Sequence, residues 1–261
     1  MAEGDTVLRT ARRIDEALGG AEVSVSSPNP RGRIGGLERL DGKRLDRAEA
    51  HGKNLLLRFG DLVLHSHLGM NGAWHVYRQG GAWRKPAAAA WAVLSGEQWE
   101  AVQFGGPTLR VLRAGALRLD PQLAGLGPDI LADDFDLAEA VRSLRGASDM
   151  QLGEALLDQR RIAGIGNIFK SEACFAARLG PWRRLGELDD ADLQRVLRAA
   201  RELMQRAVAD GRHGRTVYRR AGRPCPACGR PIASRGQGDA NRTTYWCPRC
   251  QGWRVTSGRP G

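Results

Sequence analysis

Long hydrophobic runs are missing from this 261-residue sequence. A membrane-spanning helix needs roughly 18 or more consecutive apolar residues, and the best candidate, residues 87–94, is far shorter. Residues 1–5 carry two acids where a secretory signal peptide would carry basic and then apolar residues. The composition, 42% hydrophobic and 26% charged, excludes disordered, collagen-like and coiled-coil classes. We therefore expect a cytoplasmic globular protein without a membrane segment.

Lysine is scarce, with four residues in the whole chain, yet Lys and Arg together number 40 against 29 acidic residues. The formal net charge is +11, and residues 201–261 hold 13 arginines and 3 acids. A charge excess at one end of a chain indicates an anionic partner, most often nucleic acid. Arginine suits phosphate because its planar fork donates two hydrogen bonds at once. A solvated basic face would give the same composition, so charge alone leaves both interpretations open.

Cysteine is also sparse, and four of the five cysteines form two Cys-x2-Cys pairs. Cys225 and Cys228 are separated from Cys247 and Cys250 by 18 residues, which is the spacing of a zinc ribbon. A reducing cytosol disfavours disulfides between them. We predict that these four thiolates bind one structural zinc ion. The fifth, Cys174, lies in a helical apolar pattern and is expected to fill the core.

The hydrophobic pattern changes along the chain from helical to β and back to helical. Apolar residues recur at helical spacing after Asp5, a good N-cap residue, as far as Leu18. Short apolar runs separated by turn residues then predict antiparallel hairpins, and several of them in about 100 residues indicate a β-sandwich. The expected hairpins are 54–59 with 62–67 and 91–95 with 99–104, and the expected later helices are 137–144, 150–157, 165–179 and 189–209.

These patterns predict an α+β, multidomain fold. It consists of an N-terminal helix plus antiparallel β-sandwich, a helical domain and a C-terminal zinc-ribbon β-hairpin, which is expected to turn around residues 235–239. The domains and the linker are placed as follows: β-sandwich at 1–120, linker at 121–128, helical domain at 129–221 and zinc finger at 222–256.

Two features of the second half are suited to bind phosphate. The run from Gly164 to Phe169 opens a helix, where glycines let backbone N–H groups approach an anion and the helix dipole favours it. Asn167 adds a side-chain donor. Arg242 lies five residues before Cys247, on a strand that a metal knuckle would hold rigidly. Each feature alone has an ordinary structural explanation, as a turn or as a solvated arginine.

Several further motifs accompany these features in a fixed order, and together they resemble a known family. The sequence is similar over nearly its whole length to the formamidopyrimidine-DNA glycosylase / endonuclease VIII family of bacterial base-excision repair. The motifs that carry the resemblance are Ala2-Glu3-Gly4, Gly52-Lys53-Asn54-Leu55-Leu56, His67-Leu68-Gly69-Met70, Leu157-Asp158-Gln159-Arg160, Gly164-Ile165-Gly166-Asn167-Ile168-Phe169, Glu172 and Arg242-Thr243-Thr244-Tyr245-Trp246-Cys247-Pro248-x-Cys250-Gln251.

The resemblance implies that the helical domain is a helix-two-turn-helix domain and that damaged or abasic DNA binds between the two halves with its damaged nucleotide flipped out. It implies that Glu3 protonates the sugar during base loss and that Lys53 contacts phosphate and assists elimination. Asn167 and Arg242 would grip the kinked backbone, with Arg242 also linked to the final elimination, and Met70 would wedge into the gap. A flipping enzyme needs such clamps and a wedge. Taken singly, Glu3, Lys53 and Met70 could instead be a first-turn acid, a turn residue and a core residue.

The family presents proline directly after the initiator methionine, whereas this chain has Ala2. The reaction needs a terminal amine that attacks the sugar and forms a Schiff base. An α-amino group has a pKa of about 8 and is partly free base near neutral pH, unlike lysine at about 10.4. Proline gives a permanently cationic iminium, while the imine of Ala2 must be protonated to serve as the same electron sink. Removal of Met1 is required before Ala2 has an amine to offer.

The short connector before the zinc finger bears on the substrate. Thirteen residues separate Gly211 from Cys225, and relatives that favour oxidised purines carry a longer lesion-capping loop there. By resemblance, the chain belongs to the endonuclease VIII branch, with a preference for oxidised pyrimidines. The run 104–110 differs from the wedge loop of the purine branch, so residues that contact the opposite strand stay unassigned.

The resemblance implies a monomeric DNA glycosylase with abasic-site lyase activity that cleaves the strand by β/δ-elimination, without an organic cofactor. One alternative is a catalytically impaired protein that binds lesions or abasic sites, because Ala2 replaces the proline nucleophile. Another is a general zinc-ribbon nucleic-acid module. That alternative accounts for the C-terminus but gives the first 120 residues no purpose.

Overall fold

The computed structural model describes residues 2–252. Met1 and residues 253–256, the expected end of the zinc finger, lie outside the described residues. The chain forms two compact units whose boundary falls between Gly125 and Leu126. Within the described range, no helix combines the length and the apolar character needed to cross a bilayer.

The first unit is built from a helix, α1 at Gly4–Leu18, and antiparallel strands. The strands are β1 Glu22–Ser26, β2 Lys43–Arg44, β3 Arg47–His51, β4 Asn54–Phe59, β5 Leu62–His67, β6 Ala73–Arg78, β7 Ala92–Ser95, β8 Trp99–Phe104 and β9 Thr108–Arg113. One sheet has the strand order β2-β1-β7-β8-β6, and the other has the order β3-β4-β5-β9.

Both predicted hairpins are present. β4 pairs with β5 from Asn54↔His67 to Phe59↔Leu62, and β7 pairs with β8. The inward side chains of the two sheets and one face of α1 share a single hydrophobic core, which confirms the predicted helix plus β-sandwich. Residues of this core from α1 are Val7, Ala11, Ile14 and Leu18, and residues from the strands include Val23, Leu55, Leu57, Leu64, Leu94 and Val111.

The start of α1 differs from the sequence prediction. Glu3, not Asp5, is the N-cap residue: its backbone is extended and its carbonyl accepts a hydrogen bond from the Val7 amide at 3.1 Å. Asp5 lies inside the first turn and is buried. Because Gly4 already adopts helical geometry, the helix begins earlier than the N-cap preference of aspartate suggests.

The second unit contains the helical region. Its helices are α2 Leu137–Arg145, α3 Leu152–Ala155, α4 Asn167–Ala176 and α5 Asp190–Asp210. Asp189 caps α5 by accepting from the Asp192 amide at 2.7 Å, and Gly211 ends it with a left-handed φ of 70°, as the sequence predicted. The predicted start of α4 at residue 165 is wrong, because Gly164 has a φ of +101° and Gly166 is extended, so helical geometry begins at Asn167.

The zinc-ribbon hairpin closes the described chain. β10 at Ala233–Gln237 pairs with β11 at Arg242–Trp246, in register from Ala233↔Trp246 to Gln237↔Arg242. The turn therefore occupies residues 238–241, and the prediction that it lies around 235–239 is wrong. Gly238 and Asn241 take the left-handed conformations at φ +67° and +47°, and Arg235 and Gly236 remain in the strand.

Candidate active site and zinc centre

The residues at the N-terminal end of the first unit are held against the loop that follows β5. The backbone nitrogen of Ala2 donates to the Gly69 carbonyl at 3.3 Å. Gly69 has a left-handed φ of +59°, and a Cβ there would lie 2.8 Å from Cδ of Pro107. Only glycine satisfies both conditions. The local sequence thus fixes where Ala2 lies on the surface of the sandwich.

Glu3 follows Ala2 and is fully buried, with 0% of its surface exposed. As the N-cap residue of α1, it places its carboxyl group at the positive end of the helix dipole. Asp5, one residue into the helix, is also buried and faces Arg9 at 3.8 Å. Two buried carboxyl groups thus lie at the start of α1, within three residues of Ala2.

Lys53 occupies the two-residue turn between β3 and β4. His51 pairs with Asn54 across the hairpin, so Gly52 and Lys53 form the turn, and Gly52 takes a φ of +58°. A positive φ at the first turn position alone is the type II′ geometry, which glycine supports. This turn presents Lys53 at the end of the four-stranded sheet.

His67 links the Lys53 turn to the loop beneath Ala2. It is the cross-strand partner of Asn54, and its Nδ1 accepts from the Gly69 amide at 3.2 Å. Burial lowers the pKa of His67, and the Lys53 ammonium group lowers it further. The charge of Lys53 therefore lies near His67. Hydrogen bonds thus join Ala2 to Gly69 and Gly69 to His67, and the positive charge of Lys53 acts on His67.

Met70 lies at the tip of this loop and is 63% exposed. Apart from Met70, only Leu119 is both a large hydrophobic residue and strongly exposed among the described residues. The exposure of Met70 excludes the interpretation that its side chain fills the core. An exposed methionine next to Gly69, whose carbonyl accepts from Ala2, is suited to insert into a partner.

In the second unit, Asn167 is the first residue of α4 and is buried at 7% exposure. Its Nδ2 donates to the Thr243 carbonyl in β11 at 2.8 Å. No group within residues 2–252 bonds its buried Oδ1 atom. A buried polar atom without a protein partner commonly marks a bound water or ligand. The structure thus places Asn167 against the strand that begins with Arg242.

Arg242 is exposed, and the strand behind it is anchored to α4. The neighbouring Thr244 accepts at 2.6 Å from Nζ of Lys170, a lysine with 0% exposure, and donates to Oε1 of Gln237 at 2.8 Å. Gln237 in turn donates to Gln151 and to the Pro181 carbonyl. This buried network fixes β11 at Thr244 and leaves the Arg242 side chain exposed.

The four predicted zinc ligands lie together. The sulfurs of Cys225, Cys228, Cys247 and Cys250 are all within 4.8 Å of one another. The pairs Cys225–Cys250 and Cys228–Cys247 are 3.8 and 3.5 Å apart. Tetrahedral coordination with Zn–S bonds of about 2.3 Å requires sulfurs about 3.8 Å apart. The donor set and its geometry fit one structural zinc ion.

The zinc knuckles are tied to the helical region by Gln251. Its Oε1 accepts from the Cys247 amide at 2.7 Å, and its Nε2 donates to the Leu179 carbonyl at 2.9 Å. Cys174, in contrast, lies in the helical core away from this set. Burial raises the pKa of its thiol to about 12, so it is an unreactive core residue as predicted.

The sequence did not predict several residues that lie near the candidate site residues of each unit. His65 and Arg110 on the outer face of β5 and β9, and Lys170 beneath β11, received no role. The alternation of His65 and His67 on a predicted strand was a usable signal, because both side chains point to the same face. Lys170 gave no signal, since a lysine on a helix is ordinarily exposed.

Models of three protein domains match successive parts of the chain. Residues 1–105 match the formamidopyrimidine-DNA glycosylase N-terminal domain, and residues 126–219 match the H2TH domain of formamidopyrimidine-DNA glycosylase. Residues 222–252 match a zinc finger found in FPG and IleRS. The matches cover both compact units and the zinc centre.

Individual proteins agree with these matches. A probable endonuclease 8 2 of Streptomyces coelicolor is 39% identical over 96% of this chain and 94% of its own length. The DNA-(apurinic or apyrimidinic site) lyase Nei2 of Mycolicibacterium smegmatis is 36% identical over 96% of this chain and 99% of its own. The crystal structure of the MutM (Fpg) protein of Thermus thermophilus, at 32% identity, covers 97% of this chain and 100% of that one with a TM-score of 0.80.

Proposed function

The chain belongs to the formamidopyrimidine-DNA glycosylase and endonuclease VIII family of DNA glycosylases with abasic-site lyase activity, and from this membership we propose that it excises oxidised bases, pyrimidines preferred, and cleaves the abasic strand by β/δ-elimination. The observation that carries the proposal is the fixing of Ala2 beside the buried Glu3, on the loop that bears Met70. One structural zinc ion held by four cysteines stiffens the DNA-binding hairpin.

The first step is attack on the sugar. After Met1 is removed, the lone pair of the Ala2 amine attacks C1′ of the damaged nucleotide, and the C1′–base bond breaks with its electron pair going to the base. The departing base takes up the proton that the amine loses when its nitrogen bonds to C1′. Glu3 donates a proton to the sugar ring oxygen, the ring opens, and the nitrogen forms an imine with C1′. An α-amine with a pKa near 8 supplies free base at neutral pH, which lysine does not.

Elimination follows from the protonated imine. Loss of a C2′ proton sends electrons toward the imine and expels the 3′ phosphate, and loss of a C4′ proton then expels the 5′ phosphate. Water hydrolyses the imine and frees Ala2. In this sequence Lys53 contacts phosphate and assists elimination, and Arg242 assists the final step. Asn167 and Arg242 grip the backbone, and Met70 fills the space of the flipped nucleotide.

Successive parts of the sequence have different proposed roles. We assign the chemistry to residues 1–120, joined through the linker 121–128 to the DNA-binding residues 129–221 and 222–256. The preference for oxidised pyrimidines is supported by the 13-residue connector between Gly211 and Cys225 and by relatives named endonuclease 8. Monomeric action on DNA in the cytoplasm completes the proposal.

Ala2 favours a second candidate function. Its primary amine yields an imine that needs a proton before it withdraws electrons, whereas a secondary amine would yield a permanent cation. A chain with slow turnover and intact clamps would bind lesions or abasic sites without cleaving them.

Product analysis on oligonucleotides tests the proposal. Intact mass first establishes that Met1 is absent. Single-turnover reactions with an abasic site, an oxidised pyrimidine and an oxidised purine should then give strand breaks whose ends show both eliminations, with the pyrimidine processed faster than the purine. Lys53→Ala should slow strand cleavage by at least tenfold. Tight binding with no strand break would establish the binding function instead, and equal rates on both bases would remove the pyrimidine preference.

A further inference from the structure

A buried polar network on the outer face of the four-stranded sheet leads to the Lys53 turn. His65 on β5 is the cross-strand partner of Arg110 on β9, and Asn54 begins the adjacent strand β4. Leu55 and Leu64 on the same strands point to the hydrophobic core, so alternation directs these polar residues to the opposite face. His65 and Asn54 are nevertheless buried. Burial of polar groups without a partner is unfavourable, so their mutual contacts define the arrangement.

The contacts assign the proton positions on His65. Its Nε2 lies 2.9 Å from Oδ1 of Asn54, and Nε and Nη2 of Arg110 each lie 3.4 Å from its Nδ1. The amide oxygen only accepts, so Nε2 carries the hydrogen. A guanidinium only donates, so Nδ1 is the acceptor. His65 is therefore neutral, in agreement with the burial and the Arg110 charge that lower its pKa to about 4.

Asn54 connects this network to the turn. Its Nδ2 donates to the His51 carbonyl at 3.3 Å, across the two-residue turn formed by Gly52 and Lys53. The side chain of one flanking residue thus fastens the backbone of the other. The orientation of Asn54 depends in turn on the donor at His65 Nε2.

The other end of the network is anchored by a carboxylate. Nη2 of Arg110 contacts the two carboxylate oxygens of Asp120 at 2.8 and 2.7 Å and also donates to Gln122 at 3.2 Å. Asp120 is buried and accepts as well from the Gln122 amide at 3.0 Å. The Asp120 oxygens anchor Nη2 of the guanidinium, and its Nε–Nη2 edge faces Nδ1 of His65.

We propose that Asn54, His65 and Arg110 are positioning residues that hold the Lys53 turn in the geometry needed for elimination. The inference rests on the proposed role of Lys53. The Asn54 side chain bonds the backbone on the other side of the two-residue turn and so fixes the direction in which the turn presents Lys53. Small displacements of a reacting group are costly to rate. The network restricts the backbone from which Lys53 projects without touching the substrate itself.

A double-mutant cycle tests this inference. Single-turnover strand cleavage at an abasic site is measured for wild type, Asn54→Ala, Lys53→Ala and the double variant. Asn54→Ala should slow cleavage about tenfold in the wild-type background and less than twofold in the Lys53→Ala background. Residues that act as a unit give such non-additivity, whereas independent effects multiply. Multiplicative effects, or an Asn54→Ala enzyme as fast as wild type, would overturn the positioning role.

Two further variants separate positioning from folding. His65→Gln keeps one donor and one acceptor and should recover most of the rate that His65→Leu loses; equal rates of the two would count against the network. Arg110→Ala alters a partly exposed residue and should slow cleavage like Asn54→Ala, with no slowing as the contrary result. Ser66→Ala is the matched control, since Ser66 lies on β5, is buried and accepts from Trp74 at 3.1 Å on the opposite face. It should cleave within twofold of wild type, and a tenfold loss would indicate a general stability effect.

Failure of the inference is distinguishable from failure of the proposed function. If wild type does not cleave, the proposed function fails and the positioning role fails with it. If wild type cleaves and Lys53→Ala cleaves as fast, the proposed function holds, but the role of Lys53 and the positioning role that depends on it both fail. If wild type cleaves and Lys53→Ala cleaves measurably but at least tenfold more slowly, multiplicative effects in the cycle overturn the positioning role alone.

Discussion

At the scale of single residues, the side chains proposed to carry the function differ sharply in burial. Glu3 and Asn167 are buried, while Arg242 and Met70 are exposed. Buried polar groups have fixed positions and are suited to proton transfer and orientation. Exposed groups reach a large partner such as the DNA backbone. The same contrast decides how each residue is best tested.

Arg242→Ala should weaken DNA binding to a similar extent for all lesions. Arg242 would contact phosphate, not a base, so its loss should flatten the dependence of log K on log salt by about one unit. Fluorescence anisotropy over a salt series measures this slope. Arg206→Ala is the control, because Arg206 is an exposed arginine on α5 paired with Glu202 at 3.1 Å. An unchanged slope for Arg242→Ala would show that Arg242 does not contact a phosphate.

His65 makes stability depend on pH. Its pKa in the folded chain is about 4, below the ordinary 6.5, so the unfolded chain binds more protons between these values and stability falls as pH is lowered through this window. Once His65 is fully protonated, the free energy of unfolding has fallen by about 3 kcal/mol. Urea unfolding at pH 7 and pH 4.5 should show a smaller loss for His65→Gln than for wild type. Equal losses for the two proteins would contradict the assignment.

At the scale of elements, two loops and one metal-bound hairpin carry the proposed site. The Lys53 turn and the 68–72 loop depend on glycines with positive φ, at Gly52 and Gly69. The β10–β11 hairpin depends on its two cysteine knuckles and on the buried contact between Lys170 and Thr244.

Gly69→Ala should destabilise the first unit and impair cleavage. A left-handed φ costs an alanine roughly 1 to 2 kcal/mol, and the new Cβ would also lie 2.8 Å from Pro107. Gly60→Ala is matched, because Gly60 has the same φ of +59° and no atom within 4 Å of the new Cβ. Urea unfolding should give a larger loss for Gly69→Ala, and only that variant should cleave slowly. Equal behaviour of the two would show that the contact with Pro107 is unimportant.

Cys247→Ser should remove the zinc ion and the order of the hairpin. A three-thiolate set binds zinc more weakly, and metal binding supplies much of the folding free energy of such small units. Zinc content and amide hydrogen exchange of residues 233–246 measure both effects, with Cys174→Ser as the control outside the metal set. A Cys247→Ser protein that keeps its zinc and its DNA binding would refute the ribbon.

Hydrophobic periodicity predicted the strands and helices well because burial of one face leaves a clear pattern. It gave the β4–β5 hairpin and both ends of α5. It misplaced the start of α4 and the turn after β10, where backbone dihedrals at Gly164, Gly238 and Asn241 decide the boundary. Such dihedrals respond to tertiary packing that a local pattern does not contain.

At the scale of the whole molecule, we propose that the two units carry different groups of functional residues. The first unit carries the candidate nucleophile and acid, and the second carries the clamp residues, the zinc centre and most of the basic excess. Motif order along the sequence indicated this division. The order of the motifs did not predict which side chains contact one another. His65, Arg110 and Asp120, for example, come together only through the pairing of β5 with β9 and the turn that follows β9.

The identity of the nucleophile is the central claim, and borohydride trapping tests it most directly. Reduction of the imine during reaction with an abasic oligonucleotide should fix DNA to the protein, and peptide mass mapping should place the bond on the nitrogen of Ala2. Ala2→Pro should form the adduct at least as fast. An adduct on Lys53 or another lysine, or tight binding with no adduct at all, would contradict the account.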